Sequence, residues 1–121
     1  MRSSFRTLAE IGAERARSAE LYREFLRAPA MSAGLYVLPA GTTDPQKPHH
    51  EDELYYVVRG RARMRVGPKE HTVAGRAQEE QSDDQAVSEG SVMFVAAGVE
   101  HRFYDITEEL VVLVVFAPAE S

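Results

Sequence analysis

The chain contains no cysteine. Disulfide scaffolds and thiolate metal centres are thereby excluded, and any metal ligands must be nitrogen and oxygen donors. Long apolar runs are missing too: no stretch approaches the roughly 20 apolar residues that a membrane span needs, so no membrane partner is expected. Nor is there an excess of positive charge. A formal net charge of −5 offers no field to a phosphate backbone, which argues against a nucleic-acid partner. The first residues, Met1-Arg-Ser-Ser-Phe-Arg-Thr-Leu-Ala-Glu, lack the apolar centre of a secretory signal, and a cytoplasmic location is expected. What is present is 121 residues at 44% hydrophobic content, enough for one domain with a single core.

Residues 1–28 differ in texture from the rest, with Arg2, Arg6, Arg15, Arg17, Arg23 and Arg27 interleaved with Glu10, Glu14, Glu20 and Glu24. Leu21/Phe25 and Tyr22/Leu26 are each four apart, which predicts a short helix ended by Pro29. The alternating charges fit a solvated helix surface. From Met31 onward, short runs rich in Val, Tyr, Phe and Leu are separated by Gly, Pro, Asp and Lys. Strands are expected at 33–38, 53–58, 62–66, 70–73, 91–95, 102–105 and 110–116, with turns at Gly41, Gly60, Gly67-Pro68, Gly90 and Gly98. This is the rhythm of an antiparallel sandwich or barrel. The run 111–116 is apolar at both parities and should be covered on two faces, by a second sheet or by another subunit. Residues 75–89 have almost no large apolar side chain and are expected to form a mobile surface loop. The division that follows is an N-terminal helical extension over 1–30 and a barrel over 31–118.

Two segments carry chemistry. In the first, His49 and Glu53 precede and open a strand in which Tyr55 and Val57 share the face of Glu53. A carboxylate on an inward face needs a cation or hydrogen-bond partners to offset its lost hydration. In the second, His101 follows the Gly98 turn and would be presented beside the first segment. His49, Glu53 and His101 make a set of two imidazoles and one carboxylate, which leaves coordination positions of a metal ion open to water, substrate or dioxygen. Gln46 is a fourth ligand candidate through its amide oxygen. Tyr55 and Phe103 are expected to line the pocket. Such a mixed donor set serves Fe, Mn, Ni or Zn.

The spacings of these segments resemble those of a small single-domain cupin, whose motifs read G(X)5HXH(X)3–4E(X)6G and G(X)5PXG(X)2H(X)3N. Gly41, His49, Glu53 and Gly60 match the first, and Gly90, Gly98 and His101 the second. Lys47 stands where the first histidine of the HXH pair would fall, Ala96 where the proline would, and Asp105 where the asparagine would. Gln46 or His50 could take over the missing ligand, or the Lys47 ammonium could itself fill the site. The resemblance implies an all-β, double-stranded β-helix (a jelly-roll barrel) with a divalent metal ion near its mouth, commonly as a homodimer. It implies a metal-dependent enzyme of oxidoreductase, isomerase or lyase type acting on a small organic molecule, or alternatively a non-catalytic cupin that binds or senses a small molecule.

Overall fold

The computed structural model describes residues 3–67, 71–73, 76–78 and 83–121. Among the described residues, one helix, α1 (Leu8–Arg17), precedes eight strands: β1 (Tyr22–Ala28), β2 (Met31–Leu38), β3 (Asp52–Val66), β4 (His71–Val73), β5 (Arg76–Gln78), β6 (Asp83–Ser88), β7 (Val92–Val95) and β8 (His101–Ala117). Pairing is antiparallel throughout, in the order β1-β2-β8-β3-β6 with β7 also on β3, while β4 and β5 pair with each other.

The two long strands make the barrel. One half of β3 (residues 52–57) pairs with the end of β8 and with β7, whereas the other half (61–66) pairs with the start of β8 and with β6. Between the halves the β3–β8 register slips three times, from Val57 to Arg63. Such bulges bend a strand and let it pass from one layer to the next. Gly60 lies at this corner with φ 101°, and a Cβ there would overlap the Glu109 carbonyl oxygen, so both conformation and space require glycine. On β8 the corner is served by Asp105 at φ 48°. Asn and Asp enter this left-handed region more readily than other non-glycine residues, which explains why aspartate can stand where the cupin pattern has asparagine.

The inward side chains interdigitate in one cluster that includes Tyr36, Leu38, Tyr55, Val57, Met64, Phe103, Leu110 and Val112. The opposite face of β2 and β8 is covered by α1, through a second cluster of Ile11, Leu35, Val37 and Val111. The apolar run at 111–116 is thus covered partly by the chain's own helix. Further along that outer face, Leu54, Tyr56, Val92 and Phe94 are exposed, and they are cross-strand neighbours, Leu54 opposite Phe94 and Tyr56 opposite Val92.

Two expectations are corrected. Residues 22–28 form a strand, β1, paired with β2; the helix is earlier, over Leu8–Arg17, capped by the Thr7 side chain accepting from the Glu10 amide at 3.1 Å. A separation of four is one helical turn but also two strand repeats, so Tyr22 and Leu26 fit both. Pro29 therefore sits in the β1–β2 turn. Within the expected loop at 75–89, residues 83–88 form β6 on the edge of β3 and 76–78 form β5; 74–75 and 79–82, like Pro68 and Glu70, lie outside the described residues.

Candidate metal centre

His49 comes from the segment before β3, Glu53 and Tyr55 from the start of β3, and His101 and Phe103 from the start of β8. The layers that carry Glu53 and His101 face each other across the barrel, and the turns are tied together: the Gly98 amide donates to the His49 carbonyl at 2.7 Å, and the Ala97 amide donates to Asp52 Oδ1 at 2.8 Å. Both histidines thereby sit at the same barrel mouth.

One ligand atom each from His49, Glu53 and His101 lies within 4.8 Å of the others. His49 Nε2 is 3.3 Å from Glu53 Oε1, and His101 Nε2 is 3.1 Å from Glu53 Oε2. Two atoms bound to one ion at about 2.1 Å lie about 3.0 Å apart at right angles and about 3.4 Å apart in a tetrahedron, so these separations suit a shared cation. Gln46 Oε1 is 3.4 Å from His49 Nε2 and accepts the Tyr55 hydroxyl proton at 3.0 Å. Tyr55 Oη is also 3.1 Å from Glu53 Oε1 and 2.9 Å from His101 Nε2. Phe103, fully buried, packs edge-on against the Tyr55 ring with centroids 5.5 Å apart. Lys47 and His50 are exposed, so it is Gln46 that accompanies the three residues.

The tautomers follow from the outer partners. The Val99 carbonyl lies 3.0 Å from His101 Nδ1 and can only accept, so that nitrogen carries the proton and Nε2 faces inward bare. His49 Nδ1 faces Glu120 Oε2 at 3.1 Å, which holds the second imidazole in the same sense. A carboxylate or carbonyl behind each imidazole is the arrangement that fixes metal-ligating histidines.

These contacts leave two protons, that of the Tyr55 hydroxyl and that of the neutral Glu53 carboxyl group, among the lone pairs of two imidazoles, the carboxyl group itself and an amide oxygen. Burial, seconded by Glu120, Glu51 and Asp44 against the Tyr55 hydrogen bond, pushes Glu53 up to about 8. Burial also lowers both His49 and His101. The Glu53–histidine contacts are therefore hydrogen bonds between neutral groups near neutral pH, not ion pairs. A divalent ion would satisfy all of these lone pairs and return Glu53 to its charged form.

Sequence patterns did not point to two supporting acids. Asp44, 1% exposed, accepts from the Gln46 amide and from Gln46 Nε2, both at 3.0 Å, and from the Tyr36 hydroxyl at 2.7 Å and the Phe103 amide at 3.0 Å. It turns Gln46 Oε1 toward the histidines. Its only signal was Asp44-Pro45, an Asx-turn pair. Glu120 arrives on the C-terminal tail, which is anchored by the Glu120 amide to Ser32 Oγ at 2.9 Å and by the Glu120 carbonyl to Arg27 at 2.6 Å. Nothing local to Glu120 marks it.

A barrel of two bent long strands with histidine and glutamate at its mouth is the architecture of one class. A cupin domain family matches residues 34–116, and this chain belongs to it. It is 50% identical over 114 residues to SCO3923, an uncharacterized Streptomyces coelicolor protein, spanning 94% of this chain and 95% of the relative. Its fold is similar to that of BH2720 from Bacillus halodurans (TM-score 0.70, 18% identity, 96% of this chain and 82% of that one). It is similar also to TT1209 from Thermus thermophilus (TM-score 0.67, 22% identity, 95% and 97%).

Proposed function

We propose that His49, Glu53 and His101 hold a divalent metal ion, with Gln46 at the same centre, and that the protein is a metal-dependent enzyme acting on a small organic molecule. The observation that carries this reading is the convergence of two bare imidazole nitrogens, a carboxyl group and an amide oxygen, with more acceptors than protons among them. Three protein ligands leave positions for a substrate, and the ion would supply Lewis acidity there. Gln46, held by Asp44, and Tyr55, held between Phe103 and the acceptors, orient what enters. Burial and the neighbouring Glu53 push the Tyr55 hydroxyl far above its ordinary range, so it remains a hydrogen-bond donor at any working pH.

The test is elemental analysis of untagged protein purified without chelator, beside His101→Ala. About one ion per chain in the wild type and its loss in the variant is the expected result; equal content in both removes the reading. A second reading, a cupin that binds a small molecule without turnover, is favoured by Lys47 lying exposed where a further histidine ligand would stand. Stabilisation by metabolites with no metal requirement and no product would select it. We further propose a homodimer, supported by the adjoining exposed side chains Leu54, Tyr56, Val92 and Phe94. Sedimentation of Phe94→Glu should then show a shift toward monomer, and identical sedimentation would refute it.

A further inference from the structure

We propose that the cavity bordered by Lys47, Arg65 and Arg102 binds a small molecule carrying two negative charges, as a dicarboxylate or a phosphate monoester does. The charges along the outer face of β3 carry the argument. Arg59 pairs with Glu109 at 3.2 Å, Arg61 with Glu108 at 3.7 Å and Arg63 with Asp84 at 3.2 Å. Arg65, the next residue on that face, has Arg102 of β8 as its cross-strand partner instead. Like charges directly opposite each other destabilise a sheet, and an anion bound to both turns that repulsion into attraction. The pairing of arginine with acid stops where β3 and β8 reach the barrel mouth.

The cavity at that point holds about 500 Å³, within the size range of small-molecule sites. Lys47, Arg65 and Arg102 line it against one carboxylate, Glu100. Three cations against one acid leave an excess of two positive charges, in a chain whose net charge is −5. That local reversal suits a small dianion, while the net negative field of the whole chain opposes a long polyanion. Lys47 and Arg102 are exposed, so a solute can reach them. Arg65 is half-buried, and its guanidinium carbon lies 5.6 Å from the centre of the Tyr104 ring, a contact that orients the fork before a ligand arrives. Guanidinium forks donate in pairs to carboxylate and phosphate oxygens alike. Lys47, which stands where the cupin motif has a histidine, gives this cavity a cation in place of a metal ligand. Gln46 also lines the cavity, and its Oε1 is 3.4 Å from His49 Nε2. The bound anion is thereby a neighbour of the metal centre, although its binding does not rest on the metal reading.

The test is isothermal titration calorimetry of the full chain, stripped of metal with a chelator and then freed of the chelator by gel filtration. The probes are succinate, inorganic phosphate, acetate and succinamide at low ionic strength, against wild type, Arg65→Gln, Arg102→Gln and Arg61→Gln, with folding checked by circular dichroism. Wild type should bind a dianion about tenfold more tightly than acetate and show no uptake of succinamide. The tighter of succinate and phosphate tells whether the site is built for a dicarboxylate or a phosphate group. Arg65→Gln and Arg102→Gln should each weaken the dianion roughly five- to tenfold, and added salt should weaken it in wild type. Arg61→Gln removes the same charge from the same strand outside the cavity, and should leave the affinity within about twofold of wild type. The inference is overturned if neither dianion saturates wild type by about 10 mM, if acetate binds as tightly, or if Arg61→Gln weakens binding as much as Arg102→Gln. Metal content of the protein as purified is read separately. No ion with an intact Arg102 effect rejects the metal reading alone, and a bound ion with no dianion uptake by the stripped chain rejects the cavity assignment alone.

Discussion

The inward side of β3 carries Glu53 and Tyr55 at one end and Val57, Ala62 and Met64 further along, all buried. β8 repeats the contrast, with His101 at the mouth and Ile106, Leu110 and Val112 deeper. Strand geometry is the same in both regions, so parity alone decides what points inward, and position along the barrel decides what chemistry that point can hold. Around Val57 and Val112, packing is complete and apolar. At the mouth, polar groups are tolerated because each has partners: Asp44 accepts four hydrogen bonds, and Glu53 is surrounded by Tyr55, His49 and His101. The mouth is fully connected but short of protons, and that shortage separates a site from a core.

The sharpest way to break the contrast is to move the carboxylate one inward position deeper. Val57→Glu should cost about 4 kcal/mol or more, because no partner waits there, and a divalent ion should restore nothing. Urea unfolding measures it; a loss below about 1 kcal/mol would mean that the deep half is as permissive as the mouth. Next in size is the ion itself. At about 100 times its dissociation constant, a divalent metal should stabilise the wild type by about 2.7 kcal/mol. The same addition should leave the melting temperature of His101→Ala unmoved.

The same contrast explains what could be read in advance. Glycine-bounded runs and inward parity were enough to indicate an all-β barrel, because Gly60, Gly90 and Gly98 do sit at positive φ in turns or corners. They also indicated that His49, Glu53 and His101 would converge. Two pairs of expected strands, however, are single continuous strands, since a corner built from bulges at 57–63 looks like a turn in sequence. β6 was illegible because it is an edge strand with only Val87 buried, so no apolar alternation marks it. The register slip between Glu24 and Leu26 likewise disturbs the alternation of β1. Glu120 reaches the mouth region through contacts between distant segments, which no local pattern encodes.

The proton shortage predicts a pH dependence of stability in the metal-free protein. Glu53 is raised from its ordinary 4.5 to about 8, so the folded chain keeps a proton that the unfolded chain releases between those values. Its contribution to stability is complete below about 4.5 and is lost as pH rises through about 8. His49 and His101, lowered by burial, act in the opposite sense, and their contribution is lost as pH falls below the ordinary 6.5. Glu53→Gln removes only the first effect. Relative to wild type, that variant should gain on the order of 2 kcal/mol between pH 5 and pH 8, read from urea midpoints without metal. Parallel curves would show that Glu53 is ionised in the fold. With metal present, wild-type affinity should instead rise across this window, because the ion displaces the Glu53 proton.

The smallest expected effect tests whether Tyr55 belongs to the mouth or to the core. Its ring packs on Phe103 as a core residue would, while its hydroxyl lies 2.9–3.1 Å from His101 Nε2, Gln46 Oε1 and Glu53 Oε1. Tyr55→Phe keeps the ring and removes one of the two protons shared by this group, the other being that of neutral Glu53. In metal-free protein this should cost about 1 kcal/mol, the penalty of unpaired buried acceptors. With the ion bound, the carboxylate and imidazole lone pairs are taken up by the metal, and the penalty should shrink to a few tenths of a kcal/mol. The difference between the two penalties is the coupling between hydroxyl and ion. Equal penalties with and without metal would mean that the hydroxyl and the ion serve different acceptors, and would place Tyr55 with Val57 and Met64 rather than with Glu53.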